Sequence, residues 1–354
     1  MNAGIKIAVS FSLLLFTGCY SASLKPDYAG PAERPATINE YYDTSCFYQS
    51  VNKEIVREER DFKVERIKIA TEHGEIVVDY FKNDKRSDDL VLVFPIMGGK
   101  NILANYFAEY FVEDGIDAAV IHRDTAFKNE DNFEKMEKIF RANTIRDRLT
   151  IDFFEEEYGK SDFASFGISR GAINAAVLAG VDARVKHNVI AMGGSDIAEI
   201  MSRTNERNIN KFMKKASKKL GLSKRRLIKM VSDDVKTDPK NLGKYIDARN
   251  TLLILAVFDN TVPFHQGLEL RKLIGNPRTI FVPATHVSAG AYTQYLPVVP
   301  PVRDLCVFPL DYLETESLAF FNDAFERDSF SIKRATYRFL QFPINAFGSL
   351  IGEI

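Results

Sequence analysis

Cysteine is scarce in this sequence and net charge is nearly absent. Three cysteines in 354 residues exclude a disulfide-built scaffold. No CxxC or HExxH pair marks a metal site, and no Walker or GxGxxG pattern asks for a nucleotide or flavin, so no cofactor is expected. Lys and Arg number 47 against 48 Asp and Glu, a formal charge of −1 that argues against a general nucleic-acid binder. The longest apolar stretch near the start, Ile7 to Phe16, is too short to cross a bilayer core of roughly 30 Å as a stable helix. What remains is ordinary globular composition, 45% hydrophobic and 27% charged. At about 150 residues per domain the length suits two small domains or one large domain with an insertion.

Residues 1–18 have the form of a cleaved secretory leader: Lys6, the apolar stretch, then the small residues Thr17 and Gly18 before Cys19. The segment Leu15-Phe16-Thr17-Gly18-Cys19 resembles a bacterial lipobox, with Phe16 where a Leu is usual. The resemblance implies lipidation of Cys19 and a membrane-anchored protein of the cell envelope, facing the periplasm or the surface. Tyr20 stands where an Asp would favour retention at the inner membrane, so the outer membrane is the expected site. The alternative is an ordinary cleaved leader with Cys19 buried. Residues 19–63 read as a tether and extension, because Ser21 to Asn39 carries Pro26, Pro31 and Pro35 among Ser, Ala and Gly without a hydrophobic period. Cys46 and Cys306 either form a disulfide in an oxidising compartment or stay as two unpaired thiols.

From Val64 the pattern becomes regular. Val64 to Ala70 and Ile76 to Phe81 alternate around a turn at His73-Gly74-Glu75, and Leu90 to Phe94 is a continuous apolar run. Helical spacing over Asn101–Val112, Phe133–Tyr158, Ala172–Ala179 and His265–Leu273 alternates with short apolar runs at Ile116–Ile121, Phe163–Phe166, Val189–Met192, Leu252–Phe258 and Thr279–Val282. Strands alternating with helices predict an α/β fold with a mostly parallel, doubly wound sheet, whose functional residues sit at the carboxyl ends of the strands. Almost sixty residues separate Met192 from Leu252, far beyond an ordinary loop and helix, so 197–250 reads as an inserted helical cap. The core is then split into 64–196 and 251–354. Between Arg203 and Lys229 the cap carries eleven Lys or Arg against the single acid Glu206. That is either a solvated helical face or an attraction to anionic headgroups or an anionic substrate. After Ser288 come a Pro-rich turn, a helix over Thr315–Phe325 and an apolar end over Phe339–Ile351, which either packs on the body or faces a membrane.

Gly167-Ile168-Ser169-Arg170-Gly171 sets GxSxG between a strand and a helix rich in small residues. A sharp turn there lifts the Ser169 hydroxyl out of the sheet, and flanking glycines let strand and helix approach closely. A serine nucleophile needs a base. Of the five histidines, His286 fits best, on the loop after the last strand, while His122 ends an earlier strand and could line the cleft. His73, His187 and His265 fall in a turn, before a strand and at a helix start, as surface or packing residues. Asp259 follows strand Leu252–Phe258 and can orient the base, with Asp196 and Asp124 as competitors.

GxSxG at 167–171, DxxVP at 259–263 and the later His286, in the order Ser, Asp, His, resemble the α/β-hydrolase superfamily over roughly Val64 to Ser288. The resemblance implies a Ser169-His286-Asp259 triad and an oxyanion hole from two backbone amides. One is that of Arg170, the other that of Met97, or of Ile96, on the loop Phe94–Lys100, where Pro95 replaces a common His. It further implies hydrolysis of a carboxylic ester or related acyl bond, and the basic cap on a tethered protein makes an anionic or lipid-derived ester the expected substrate. An acyltransferase or a peptidase would use the same triad, and a catalytically silent fold could serve as a binding protein.

Overall fold

The apolar run at residues 90–94 sets the middle of the fold, because a strand apolar on both faces must be covered on both faces. The structure, a computed structural model, describes residues 20–45, 48–85, 87–97, 101–289 and 311–327. Cys19, Cys46, Cys306, Gly98, Gly99 and the apolar C-terminal end lie outside the described residues. So do the expected lipidation, the choice between a disulfide and two unpaired thiols, and the choice between packing and a membrane-facing helix at the C-terminal end.

The strands are β1 (Tyr20–Ala22), β2 (Ser50–Glu58), β3 (Phe62–Thr71), β4 (Gly74–Asn83), β5 (Asp89–Phe94), β6 (Ala118–Ile121), β7 (Asp162–Ile168), β8 (Val185–Ala191), β9 (Thr251–Ala256) and β10 (Arg278–Val282). They form one sheet in the order β1-β10-β9-β8-β7-β5-β6-β4-β3-β2. From β10 to β6 every neighbouring pair is parallel; β1 and the run β4, β3, β2 are antiparallel additions. Helices are α1 (Ala36–Tyr41), α2 (Ile102–Glu113), α3 (Met136–Tyr158), α4 (Arg170–Val181), α5 (Ile197–Arg203), α6 (Arg207–Leu220), α7 (Lys224–Asp234), α8 (Pro239–Leu242), α9 (Phe264–Ile274) and α10 (Tyr312–Ala324). Side chains of β5 alternate between the two cores. Leu90, Leu92 and Phe94 join Phe154, Ala176 and Leu270 on one face, whereas Val91 and Val93 join Phe107, Phe111 and Phe321 on the other.

The segment expected as a tether is instead bound to the body along its length. β1 pairs antiparallel with β10. The Tyr28 hydroxyl accepts from Ala248 N at 3.1 Å, and Ala32 N donates to the Lys244 carbonyl at 2.9 Å. Arg34 donates through Nε to the Gly180 carbonyl at 3.1 Å and through Nη2 to that of Ala179 at 2.8 Å. Those carbonyls end α4, where the last turn has no intrahelical donors. Proline-rich composition correctly excluded long regular elements. It could not exclude an irregular segment held by a few long-range side-chain bonds. The extension also supplies β2, an outer strand whose residues are nearly all exposed and so carry no alternating apolar signal.

The insertion between β8 and β9 is helical. Met213 and Ala216 of α6 and Leu227 and Val231 of α7 are buried in a third apolar cluster with Phe133, Phe140, Ile173 and Val262. These partners follow β6, β7 and β9, so the insertion stands over the carboxyl ends of the parallel strands.

If the N-terminal segment is structural, Arg34→Ala should lower unfolding free energy by about 1–3 kcal/mol, the worth of hydrogen bonds from a charged donor. Chemical denaturation of the two proteins measures this, and an unchanged midpoint would mean the segment is a tether after all.

Candidate active site

Ser169 sits between β7 and α4 with φ 58° and ψ −120°, a conformation that an L-residue adopts only under constraint. The constraint is backbone crowding. A Cβ on Gly167 would lie 2.2 Å from the Gly171 carbonyl oxygen, and one on Gly171 would lie 2.2 Å from that of Phe94. The amide of Ser169 donates to the Ala191 carbonyl at 2.9 Å, fixing the turn against β8.

His286 and Asp259 reach this turn from the loops after β10 and β9. His286 Nε2 lies 2.8 Å from Ser169 Oγ, and its Nδ1 lies 2.6 Å from Asp259 Oδ2. A carboxylate can only accept, so Nδ1 carries the proton and Nε2 is left to accept from the serine hydroxyl. Asp259 is held in turn. Its Oδ1 accepts from the amides of Thr261 at 2.8 Å and Val262 at 3.0 Å, and the residue is 4% exposed. A buried carboxylate with both oxygens occupied cannot swing away from the imidazole.

The competitors stand elsewhere. Asp196 caps α5, accepting from Glu199 N at 3.0 Å, and pairs with Lys240 at 3.3 Å. Asp124 accepts from Ala126 N at 2.8 Å. His122 bonds Asp79 at 2.9 Å, and that carboxyl, also gripped by Arg66, is held down to about 2 despite the opposing effect of burial. His187 packs edge-on to Phe325, while His73 and His265 lie beside Glu72 and Glu199.

Of the two expected amide donors, that of Arg170 belongs to the first turn of α4, where helical N–H groups have no intrahelical acceptor. The positive end of the helix dipole lies there too. Met97 lines the same cavity as Ser169, and its carbonyl accepts from Lys128 Nζ. Ile96 packs its side chain into the core.

Ser169 opens on a cavity of about 520 Å³. Its walls are mostly apolar: Met136 and Phe140 from α3, Ile173 from α4, and Ile209 and Phe212 from α6. Charge gathers at Lys128, Glu130, Arg170, Glu206, Lys211 and Lys215. Two of the cap's lysines are not free cations. Lys215 lies 3.5 Å from Glu130, and Lys219 pairs with Asp131, tying α6 to the turn before α3.

The sequence reading missed the side chain of Arg170, whose guanidinium lies 4.4 Å from the Phe140 ring centre and 5.1 Å from that of Phe127. Burial, reinforced by the like charge of Arg123, pushes it down to about 10. No sequence signal pointed to it, because stacking joins three segments distant along the chain.

Gly171→Ala should fold with a loss of about 1–3 kcal/mol, the range for overpacking a closed site, and should displace Ser169 from His286. Chemical denaturation and the reaction rate with a serine-directed probe would both register the change. Wild-type values in both would show that the turn has slack.

No protein-family model matches the chain, and no curated protein matches its sequence. Solved structures do resemble it. An acetyl xylan esterase from Paenibacillus sp. R4 aligns over 78% of this chain and 93% of its own, with 15% identity and a TM-score of 0.56. One from Thermoanaerobacterium sp. aligns over 75% of this chain and 94% of its own, with 14% identity and a TM-score of 0.54. An acylaminoacyl peptidase from Pyrococcus horikoshii aligns over 78% of this chain but 44% of its own, with 14% identity and a TM-score of 0.52. With a mixed sheet parallel at its centre, a strand-to-helix serine turn and these structural neighbours, the chain has the α/β-hydrolase fold.

Proposed function

We propose that the protein is a serine hydrolase that cleaves a carboxylic ester through an acyl-enzyme. The observation that carries the reading is the chain of hydrogen bonds from Ser169 through His286 to Asp259, opening on the apolar cavity. Ser169 Oγ attacks the ester carbonyl as His286 Nε2 takes its proton, and Asp259 stabilises the imidazolium. The amides of Arg170 and Met97 receive the oxyanion. The alkoxide leaves with the proton from His286, which then activates water to release the acid. Esterase chemistry is preferred to amide cleavage because two of the structural neighbours described above are acetyl xylan esterases. The cavity is far larger than an acetyl group needs, so longer acyl chains should be the better substrates.

Fluorophosphonate labelling tests the nucleophile. Wild type should label, and Ser169→Ala and His286→Ala should not. On a soluble ester of a medium-chain acid, Asp259→Asn should lower kcat about 10⁴-fold by offering the wrong imidazole tautomer. A folded wild type that neither labels nor hydrolyses such esters would favour a silent hydrolase fold acting as a binding protein.

Attachment to the cell envelope through a lipid on Cys19 is part of the proposal and rests on the lipobox-like sequence. Among the described residues, no helix is long and apolar enough to cross a membrane. In a bacterial host, metabolic labelling with an alkyne fatty acid should mark the wild type and spare Cys19→Ala. Equal labelling of both, or of neither, would remove the anchor.

A further inference from the structure

Arg170 is an expensive residue to keep where it stands. Its guanidinium occupies the corner of two rings packed edge to face, Phe127 and Phe140, whose centres are 5.2 Å apart. Among the described residues it makes no hydrogen bond and no ion pair. The charged groups around it do not offset its charge. Arg123 is already paired with Asp147, and Lys128, which donates to the Met97 carbonyl, adds a second cation. Asp238 is the acid that acts on it, but that carboxylate is committed to the amides of Ile197 and Lys240 and is pushed up to about 7 by its own burial. Neutral Asn143, Thr144, Asn174 and Thr237 share with Arg170 the lining of a small neighbouring cavity of about 10 Å³ and bring no charge that would neutralise it. Of the two acids on the main cavity, Glu130 pairs with Lys215 and Glu206 caps α6.

A positive charge left uncompensated in an apolar wall attracts an anion more strongly than one on the surface. Contacts with aromatic rings leave a guanidinium's N–H groups free, and together these form a planar fork that matches a carboxylate. We propose that Arg170 forms a carboxylate subsite in the cavity beside Ser169, so that the preferred ester carries a carboxylate at the end of an apolar chain. The inference rests on the hydrolase reading and deepens it. Phe127 and Phe140 hold the guanidinium in place, and Met136, Ile173 and Phe212 line the apolar path for the chain. The charge that selects substrate is thus a side chain adjoining the nucleophile rather than the lysines of the cap.

The test compares monoethyl suberate with ethyl octanoate, chain-matched esters differing in the terminal carboxylate. Wild type should favour the suberate in kcat/KM by about 10-fold or more, the worth of one charge-assisted hydrogen-bonded pair. Arg170→Gln should erase that ratio, chiefly through KM for the suberate, and Arg170→Lys should restore part of it. A merely structural role would lower both rates together and leave the ratio standing. Equal wild-type rates on the two esters, or a ratio unchanged in Arg170→Gln, would overturn the subsite and leave the hydrolase reading intact. If Arg170→Gln does not fold, the wild-type ratio together with Arg170→Lys decides. A wild type that hydrolyses neither ester and resists the fluorophosphonate sinks the hydrolase reading and the subsite together.

Discussion

The site depends on a collision avoided. Where β7 turns into α4, the backbone at Gly167 approaches Gly171, and Gly171 in turn approaches Phe94, so closely that neither glycine could carry a Cβ without the chain moving. This crowding forces Ser169 into positive φ and lifts its hydroxyl off the sheet. The same contacts seat the loop that follows β5 beside the first turn of α4. One steric fact therefore places Ser169, the amide of Arg170 and the segment that bears Met97. The His286 and Asp259 loops need only descend on a point already fixed, and Asp259 does so with both carboxylate oxygens occupied.

How far the sequence could be read follows from the range of the forces involved. The central strands were legible because a strand covered on both faces must be apolar at every position, as Leu90 to Phe94 is. Ser169, Asp259 and His286 were legible because each is bound to a strand end, and strand ends could be counted. β1 and β2 were not: three residues are too few for a period, and β2 is exposed along almost its whole length. The binding of Ser21 to Asn39 rests on single bonds to residues far along the chain, such as Arg34 to the end of α4. Arg170 stood inside the most informative motif of the sequence, yet its aromatic surroundings come from residues before and within α3 and left no local pattern.

The cap illustrates why a count of charges is a poor guide to where charge acts. Eleven basic residues between 203 and 229 suggest an electropositive lid. In the fold, Lys215 and Lys219 answer acids of the body, and Lys229 answers Asp233 within its own helix. Two of the eleven thus serve to hold α6 against the turn before α3. The buried apolar residues of α6 and α7 do the larger share of that work, since exposed ion pairs contribute little.

The pairing of β1 with β10 has a consequence for how the molecule could be oriented. Tyr20, the residue after Cys19 in the sequence, is opposite Phe281, near the end of β10 that leads into the His286 loop. One residue spans about 3.8 Å. A lipid on Cys19 would therefore not leave the protein swinging on a leash. It would tie the molecule to the membrane at an edge strand of the sheet, on the side where β10 leads into the His286 loop. Substrate would then be met by diffusion within a plane, and the rate would follow its surface density rather than its concentration in solution.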